Sequence, residues 1–383
     1  MWQPTFIILL ASFSLASGFG SLPPSVVNIP KSFTLRVPDR QIQDFKSLLT
    51  ASNIGSETWY NNHEDGQFGT SRQWLADAKI AWQKLDWRKQ ERRINSFPNF
   101  KTTVNDIEVG STSIHFAALF SKKRDALPLL FLHGWPGSFL EFLPMLDLLK
   151  NKYTPDTLPY HVIVPSLPHY GLSGGPLDVE LTLEAAARIL NQLMLDLGFG
   201  GGYGVQGGDI GSFLARILSA TFPECKAFHI NMLAPGSQDE ILSLDSVTQV
   251  ELEHIQHMIG EKFLEWPDHR YPLSLDTILT LVSFYWYTDT FQRSMYPYRA
   301  LAASQATGGL FTVPTSKEKP FGYSVFPAEN LLVPEAWARQ IYPNLALYKR
   351  NEKGGHFAAL EQPEVFLQNV QEFIGQVRPG IGI

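Results

Sequence analysis

A buried-strand pattern, a glycine-rich turn and a helical pattern follow one another within the stretch YGVQGGDIGSFLARIL. The apolar run ends at Val205, and the turn Gly207-Gly208-Asp209-Ile210-Gly211 comes next. Strand, Gly-x-nucleophile-x-Gly and helix form the layout of a nucleophile elbow, where a serine would be expected at the centre. Glycines flank the central residue because the turn is sharp and neighbouring chains pass close by. Here the central residue is a carboxylate, Asp209, and this difference restricts the chemistry.

Short apolar runs alternate with helical patterns from about residue 127 onward. LPLLFLH ends at His133, YHVIVPS ends near Pro165, and YGVQ and KAFHINM indicate two further strands. The stretch LTLEAAARILNQLMLDLGFG predicts a helix with Thr182 as N-cap and Gly198 beyond its end. This alternation predicts an α/β fold with a mostly parallel sheet covered on both faces. Ligands on such a sheet bind at the carboxyl ends of the strands, where His133, Pro165 and Asp209 lie.

The remaining regions have a different character. A chain of 383 residues allows one large domain with an insertion, or two domains. Residues 236–320 are polar and helical, which is typical of a lid inserted between two parts of a sheet domain, here 126–235 and 321–383. Residues 21–125 precede that domain. They contain an amphipathic helix in RQWLADAKIAWQKLD, and the run DWRKQERR predicts a solvated helix face.

The first twenty residues, MWQPTFIILLASFSLASGFG, form an apolar run followed by small residues. This pattern favours a signal peptide or a weak membrane anchor, although the usual basic residues before the apolar run are missing. The alternative is an N-terminal extension packed on the domain. The first interpretation predicts the secretory pathway, with a secreted or endomembrane-associated protein.

Composition excludes several classes of partner. The net charge is −6 and there is no basic block, so we expect no nucleic acid. Cys225 is the only cysteine, which excludes an intrachain disulfide, and no Cys/His cluster has zinc spacing. We therefore expect neither a metal nor a cofactor.

Three further motifs accompany Asp209 in the chain. They are His133-Gly134-Trp135-Pro136, Glu329 at the end of a predicted strand, and His356 between glycine and phenylalanine in a late loop. Nucleophile, acid and histidine in this order are typical of hydrolases that carry a nucleophile elbow. Each motif alone is also compatible with an ordinary structural role, and the main alternative for Asp209 is that its side chain caps the following helix at Gly211.

The chain resembles the microsomal-type epoxide hydrolase family, especially its fungal members. The similar stretches are HGWPGSFLEF, PSLPHYGLSGGP, VQGGDIGSFLAR, IGEKFLEW, TDTFQRSMYPYR, FGYSVFPAE and GGHFAALEQPE, with DWRKQERRINSFPNFKT in the N-terminal region. The resemblance extends over nearly everything from about residue 30. It implies an α/β-hydrolase core, an inserted helical lid and an N-terminal meander that consists of residues 21–125 and wraps the domain.

The chemistry of Asp209 follows from its side chain. A carboxylate that attacks a saturated epoxide carbon leaves an ester, which water can cleave, whereas a serine would leave an ether. Its ordinary pKa near ~3.9 keeps it ionised without a base. His356 would activate water, and Glu329 would fix the tautomer of that histidine. The backbone N–H groups of Trp135 and Ile210 are the expected oxyanion donors.

Ring opening also needs an acid for the leaving oxygen. The resemblance assigns this role to two lid tyrosines, of which Tyr298 matches one, and places Trp135 and Tyr298 against the substrate. The second lid tyrosine of the family cannot be matched to a residue of this chain. The stretch VELEHIQHM runs directly into IGEKFLEW, and no tyrosine lies between Tyr203 and Tyr271. The lid is therefore shortened relative to the family, and Tyr296 and His257 are alternative acids.

The resulting prediction is an epoxide hydrolase that produces a vicinal diol, acting on a fungal secondary-metabolite epoxide or in detoxification. An epoxide-opening cyclase and a noncatalytic ligand-binding protein on a hydrolase scaffold are the alternatives. A haloalkane dehalogenase is disfavoured because Ile210 stands where a halide-binding tryptophan commonly follows the nucleophile. The expected partner is a small-molecule epoxide, with a homodimer and membrane association through the N-terminus as further candidates.

Overall fold

The structure, a computed structural model, describes residues 18–63, 69–234, 262–297 and 313–382. Most of the N-terminal apolar segment lies outside these ranges. Tyr298 and His257, two of the candidate acids, also lie outside the described residues, whereas Tyr296 lies within them.

Nine strands of the described chain form one mixed sheet in the order β1-β2-β3-β5-β4-β6-β7-β8-β9. They are β1 (Lys31–Phe33), β2 (Asn99–Asp106), β3 (Gly110–Leu119), β4 (Leu127–Leu132), β5 (Tyr160–Pro165), β6 (Tyr203–Gly207), β7 (Cys225–Ile230), β8 (Phe321–Val325) and β9 (Leu345–Arg350). The first three strands pair antiparallel, as do β3 and β5, while all pairs from β5 to β9 are parallel. The predicted α/β fold is confirmed.

Eleven α-helices occur in the described residues. They are α1 (Asp39–Ala51), α2 (Arg72–Lys84), α3 (Trp87–Ile94), α4 (Leu143–Lys152), α5 (Leu183–Asp196), α6 (Ile210–Thr221), α7 (Lys262–Glu265), α8 (Leu275–Thr288), α9 (Glu335–Ile341), α10 (Ala358–Glu361) and α11 (Pro363–Ile381). Helix α5 begins as predicted, because the Thr182 hydroxyl accepts the N–H of Ala185 at 3.1 Å. Gly198 follows its end with φ +86°, a conformation that favours glycine.

The two faces of the sheet are covered by separate apolar clusters. Along β4, Leu130 and Leu132 pack against the cluster beneath α5 and α6, whereas Leu129 and Phe131 pack against the cluster beneath α4 and α11. A strand buried on both faces has a continuous apolar sequence, which explains LPLLFL. Strand β5 follows β4 on one side and β6 lies on the other side. The three strands are parallel, so it is the direction in which successive strands are added to the sheet that reverses at β4. Ligands of such sheets bind at the carboxyl ends beside this point.

The charge run DWRKQERR does not form a fully solvated face. Glu91 is 3% exposed, and its Oε1 accepts the backbone N–H of Val37 at 2.7 Å and the indole N–H of Trp87 at 3.0 Å. The prediction from charge alone was wrong for this side of α3, because one carboxylate is buried to hold the N-terminal segment. Among the described residues, no helix combines the length and the apolar character needed to cross a membrane.

Candidate active site

The elbow after β6 holds Asp209 in a rarely populated backbone conformation, with φ +49° and ψ −127°. The flanking glycines are required by close approach. A Cβ atom at Gly211 would lie 2.2 Å from the carbonyl oxygen of Leu132, and one at Gly207 would lie 2.0 Å from the carbonyl oxygen of Gly211. The Asp209 side chain forms no N-cap hydrogen bond, and its bond to α6 is to the N–H of the first helical residue, Ile210, so the structure argues against capping at Gly211. A strained residue is maintained only when its surroundings enforce it.

Two backbone donors approach the Asp209 carboxylate. The N–H of Trp135, in the loop after β4, donates to Oδ1 at 2.9 Å, and the N–H of Ile210 also bonds to the carboxyl group. Burial favours the neutral acid, but His356 and these N–H groups outweigh it and lower the pKa of Asp209. A Cβ atom at Gly134 would lie 2.1 Å from Oδ1, so the loop passes directly over the carboxylate. The structure thus places both predicted oxyanion donors at Asp209.

His133 fixes that loop. Its Nδ1 donates to the carbonyl oxygen of Gly134 at 2.9 Å, and its Nε2 accepts the N–H of Leu167 at 3.1 Å. This tautomer is assigned from the backbone partners. Burial lowers the pKa of His133 to about 4, so the ring is neutral. His133 therefore orients backbone and does not reach the reacting atoms.

His356 lies between two carboxylates. Its Nδ1 is 2.8 Å from Glu329 Oε1, and its Nε2 is 3.4 Å from Asp209 Oδ2. Burial opposes a positive charge on the ring, but Glu329 and Asp209 outweigh it and hold the pKa of His356 well above its usual range. The contacts of the ring with these two side chains therefore favour the protonated form of His356. Glu329 lies four residues beyond the end of β8, in the loop, and not at the strand end itself.

The loop that carries His356 is held by the segment after α7. The N–H of His356 donates to the carbonyl oxygen of Trp266 at 3.0 Å, and the Trp266 ring contacts the imidazole edge-on with centroids 4.6 Å apart. Asp268 Oδ2 accepts the N–H of Gly354 at 2.9 Å. The motif IGEKFLEW ends at Trp266, so part of the sequence resemblance reflects this bracing role, which sequence reasoning did not assign.

The candidate acids are not settled by the described residues, and the role of Tyr298 stays a prediction. Tyr296 is 51% exposed and faces the edge of the His169 ring, with centroids 6.1 Å apart. It is not part of the lining around Asp209. Lys262 is a cation near Asp209 that the sequence did not suggest. Its Nζ lies 3.0 Å from the centre of the ring of Trp135, whose N–H bonds to the Asp209 carboxylate.

Two cavities of the described residues differ in their relation to this centre. A larger one of about 390 Å³ lies between α3 and α8 and includes neither Asp209 nor His356 in its lining. A much smaller one, of about 20 Å³, is lined by both of these residues and by Glu141. Sequence reasoning missed Glu141, although its motif HGWPGSFLEF was noted. Among the described residues, no group of three or more His, Cys, Asp or Glu could hold a metal ion.

Comparison with known proteins identifies the family of the chain. An epoxide hydrolase N-terminal profile matches residues 30–142, and an alpha/beta hydrolase fold profile matches residues 128–268. Epoxide hydrolase 1 of Sus scrofa is 31% identical over 90% of this chain and 88% of its own length. A Dothistroma septosporum homologue with an epoxide hydrolase name is 38% identical over 93% and 92%. The chain belongs to the microsomal-type epoxide hydrolase family.

A solved structure confirms the assignment at the level of the whole fold. The Aspergillus niger epoxide hydrolase is 39% identical, with a TM-score of 0.85, over 94% of this chain and 99% of that one. The juvenile hormone epoxide hydrolase of Bombyx mori matches with a TM-score of 0.75 at 25% identity, over 94% and 98%. The predictions of the family, of the α/β-hydrolase fold and of an epoxide hydrolase are confirmed.

Proposed function

We propose that this chain opens an epoxide through an ester on Asp209 and then hydrolyses that ester to a vicinal diol. The observation that carries the proposal is the buried row Glu329–His356–Asp209, with two N–H donors on the carboxylate. An ionised carboxylate attacks a saturated carbon without a base, and the ester that results can be cleaved by water. This is why a carboxylate at the elbow suits an epoxide.

In the first step, an Asp209 oxygen forms a bond to one epoxide carbon while the ring C–O bond breaks. The leaving oxygen takes a proton from an acid, for which Tyr298 is our candidate by resemblance. That acid regains its proton from His356, whose pKa falls once the anionic charge of Asp209 is gone. Alkylation therefore turns an imidazolium into the neutral base that the second step needs.

In the second step, neutral His356 accepts a proton from water at Nε2, because Glu329 keeps the other ring proton on Nδ1. The water oxygen bonds to the Asp209 carbonyl carbon, and the N–H groups of Trp135 and Ile210 hold the oxyanion. Collapse releases the alkoxide, which takes the second proton of that water. The site returns to an Asp209 carboxylate beside an imidazolium, so charges and protons balance over the cycle.

Mass spectrometry of the His356→Ala variant tests this scheme. Attack should still occur, while hydrolysis of the ester should slow by at least about 10²-fold because the base is gone. Incubation with styrene oxide should then add one whole substrate mass to the peptide that contains Asp209. The exposed His269→Ala variant should turn over without accumulating an adduct. If the wild type turns over but His356→Ala carries no adduct, the ester scheme is overturned.

Two finer proposals concern the setting of the reaction. We propose an epoxidised secondary metabolite as the natural substrate, because a chain that resembles fungal members and begins with a signal-like run suits a tailoring enzyme. We also propose entry into the secretory pathway through that apolar N-terminal run. Competition of purified epoxide-bearing metabolites with styrene oxide tests the first proposal. Fractionation of cells that express the full chain tests the second.

A further inference from the structure

Glu141 is a buried carboxyl group that the two-step scheme does not yet use. It is the third residue of the short 3-10 helix Phe139–Phe142 and is 9% exposed. Its Oε1 accepts the N–H of Ser138 at 3.0 Å, which completes a capping box with the Ser138 side chain. Glutamine completes such a box equally well. Capping therefore explains the position but not the presence of an ionisable group in a buried place.

The Glu141 carboxyl group lines the cavity of about 20 Å³ that it shares with Asp209 and His356. This volume has room for one water molecule, which needs two to four polar partners. Two glycines make the arrangement possible. A Cβ atom at Gly137 would lie 1.4 Å from Glu141 Oε1, and one at Gly134 would lie 2.1 Å from Asp209 Oδ1. The absence of side chains at these positions brings both carboxyl groups to one cavity.

The three groups act on one another electrostatically. Burial raises the pKa of Glu141 to about 8, the positive charge of His356 opposes that rise, and Asp209 adds to it. While neutral His356 takes a proton from water, positive charge develops on its ring. In the ester, the Asp209 charge that adds to the rise is gone, while the new charge on the ring attracts the Glu141 carboxylate. Both changes favour the carboxylate form, which accepts hydrogen bonds and donates none.

We propose that this cavity holds the water that hydrolyses the Asp209 ester, and that Glu141 accepts one of its hydrogens while His356 Nε2 accepts the other. Two acceptors fix both hydrogens of the water, so a lone pair of its oxygen is turned toward the ester carbonyl carbon. Positioning of this kind belongs to the hydrolytic step alone, because no water takes part in alkylation. The inference rests on the proposed ester scheme and assigns a further catalytic residue within it.

Single-turnover kinetics of Glu141→Gln with styrene oxide test the assignment. Glutamine keeps the acceptor for the Ser138 N–H but presents an amide donor to the cavity. We expect the rate of alkylation to stay within about threefold of the wild-type rate. The rate of ester hydrolysis should fall by about 10- to 100-fold, because a misplaced water reacts more slowly. Ser138→Ala is the matched control, because it breaks the cap and leaves the cavity lining intact. Its hydrolysis should stay within about threefold.

Two results would overturn the assignment. One is hydrolysis in Glu141→Gln at the wild-type rate. The other is an equal loss in Ser138→Ala, which would place the effect in the cap. Neither result contradicts the ester scheme if His356→Ala still accumulates its adduct. The role of Glu141 and the ester scheme are therefore tested separately.

A crystal structure of Asp209→Asn supplies a test that needs no change at Glu141. The amide is neutral, like the ester, and nearly the same size. We expect one ordered water within about 3.2 Å of both the Glu141 carboxyl group and His356 Nε2. A dry cavity, or a water bonded to neither group, would contradict the proposal.

Discussion

Glu329 holds His356 through one short contact. Its Oε1 is 2.8 Å from His356 Nδ1 and also accepts the N–H of Asn330 at 2.7 Å. The Glu329 side chain is fully buried, so its charge acts on the ring with little screening by water. This charge is a main reason why the pKa of His356 is raised despite burial. The carboxylate therefore does more than orient the ring.

Replacing Glu329 with glutamine should separate the two functions of this residue. The amide oxygen can still accept from Nδ1, but it cannot stabilise the imidazolium that forms during hydrolysis. We expect ester hydrolysis to slow by about 10²-fold or more and alkylation to slow much less. Single-turnover measurements of the two steps check this expectation. The exposed Glu352→Gln variant is the control. An equal loss in both steps would assign Glu329 to structure.

Among single residues, the sequence predicts those whose neighbours and order along the chain are typical of a catalytic role. Asp209 and His356 were predictable because flanking glycines and chain order are visible in one dimension. Glu141 was not, because Ser-x-x-Glu is fully accounted for by a local cap until the cavity behind it is seen. Trp266 and Asp268 were missed for a related reason. Their contacts with the His356 loop join segments about ninety positions apart.

Among the elements, the segment after α7 links the lid to the catalytic loop. Asp268 is 3% exposed and accepts from the N–H of Gly354 at 2.9 Å and from the guanidinium of Arg270 at 2.7 Å. Glu361 in α10 accepts the N–H of Asp268 at 2.8 Å and that of Phe357 at 2.9 Å. Lid, loop and α10 are therefore joined by carboxylates, and loss of one should loosen the position of His356.

Asp268→Asn should lower the free energy of unfolding in a pH-dependent manner. The hydrogen bond from Arg270 outweighs burial and lowers the pKa of Asp268 to about 2 in the folded chain. Stabilisation by this carboxylate is therefore complete above its unfolded pKa near ~3.9 and is lost as the pH falls toward 2. We expect the variant to be less stable by about 2 kcal/mol at pH 7. Its deficit should shrink below about pH 4.

Urea unfolding of both chains between pH 2 and pH 7 measures this deficit. The exposed Asp44→Asn variant, in α1, controls for loss of one negative charge. A gap that stays constant across this pH range would show that the ion pair is not its cause.

Element boundaries were predictable where local signals are strong, as at Thr182 and Gly198 around α5. The burial of Glu91 in α3 was not predictable. A run of charged residues is hydrophilic by composition whether or not one of its side chains is buried. The partners of Glu91, Val37 and the Trp87 indole, become visible only when the N-terminal segment is folded back.

Across the whole molecule, the N-terminal region braces the lid helix. The indole N–H of Trp82 in α2 donates to the buried hydroxyl of Ser283 in α8 at 2.7 Å. Phe45 in α1 packs against the rings of Trp286 and Tyr287, with centroids 5.3 Å and 5.4 Å away. The N-terminal region thus contacts α8 through two of its helices, and it also forms the edge of the sheet through β1 and β2. The predicted meander is consistent with these contacts.

The same region decides where the folded domain begins, and two deletions can locate that point. Phe19 is 5% exposed, and its carbonyl oxygen accepts the N–H of Phe120 at 2.9 Å. Deletion of residues 1–17 keeps both contacts, so we expect a folded chain with turnover of styrene oxide near that of the full chain. Deletion of residues 1–20 removes a buried phenylalanine, which should lower the free energy of unfolding by about 3 kcal/mol or more. Urea unfolding of the two truncated chains gives the difference. Equal free energies of unfolding would show that Phe19 contributes nothing to the core. Loss of folding in both truncated chains would show that the apolar segment before Gly18 packs on the domain and does not act as a cleavable signal.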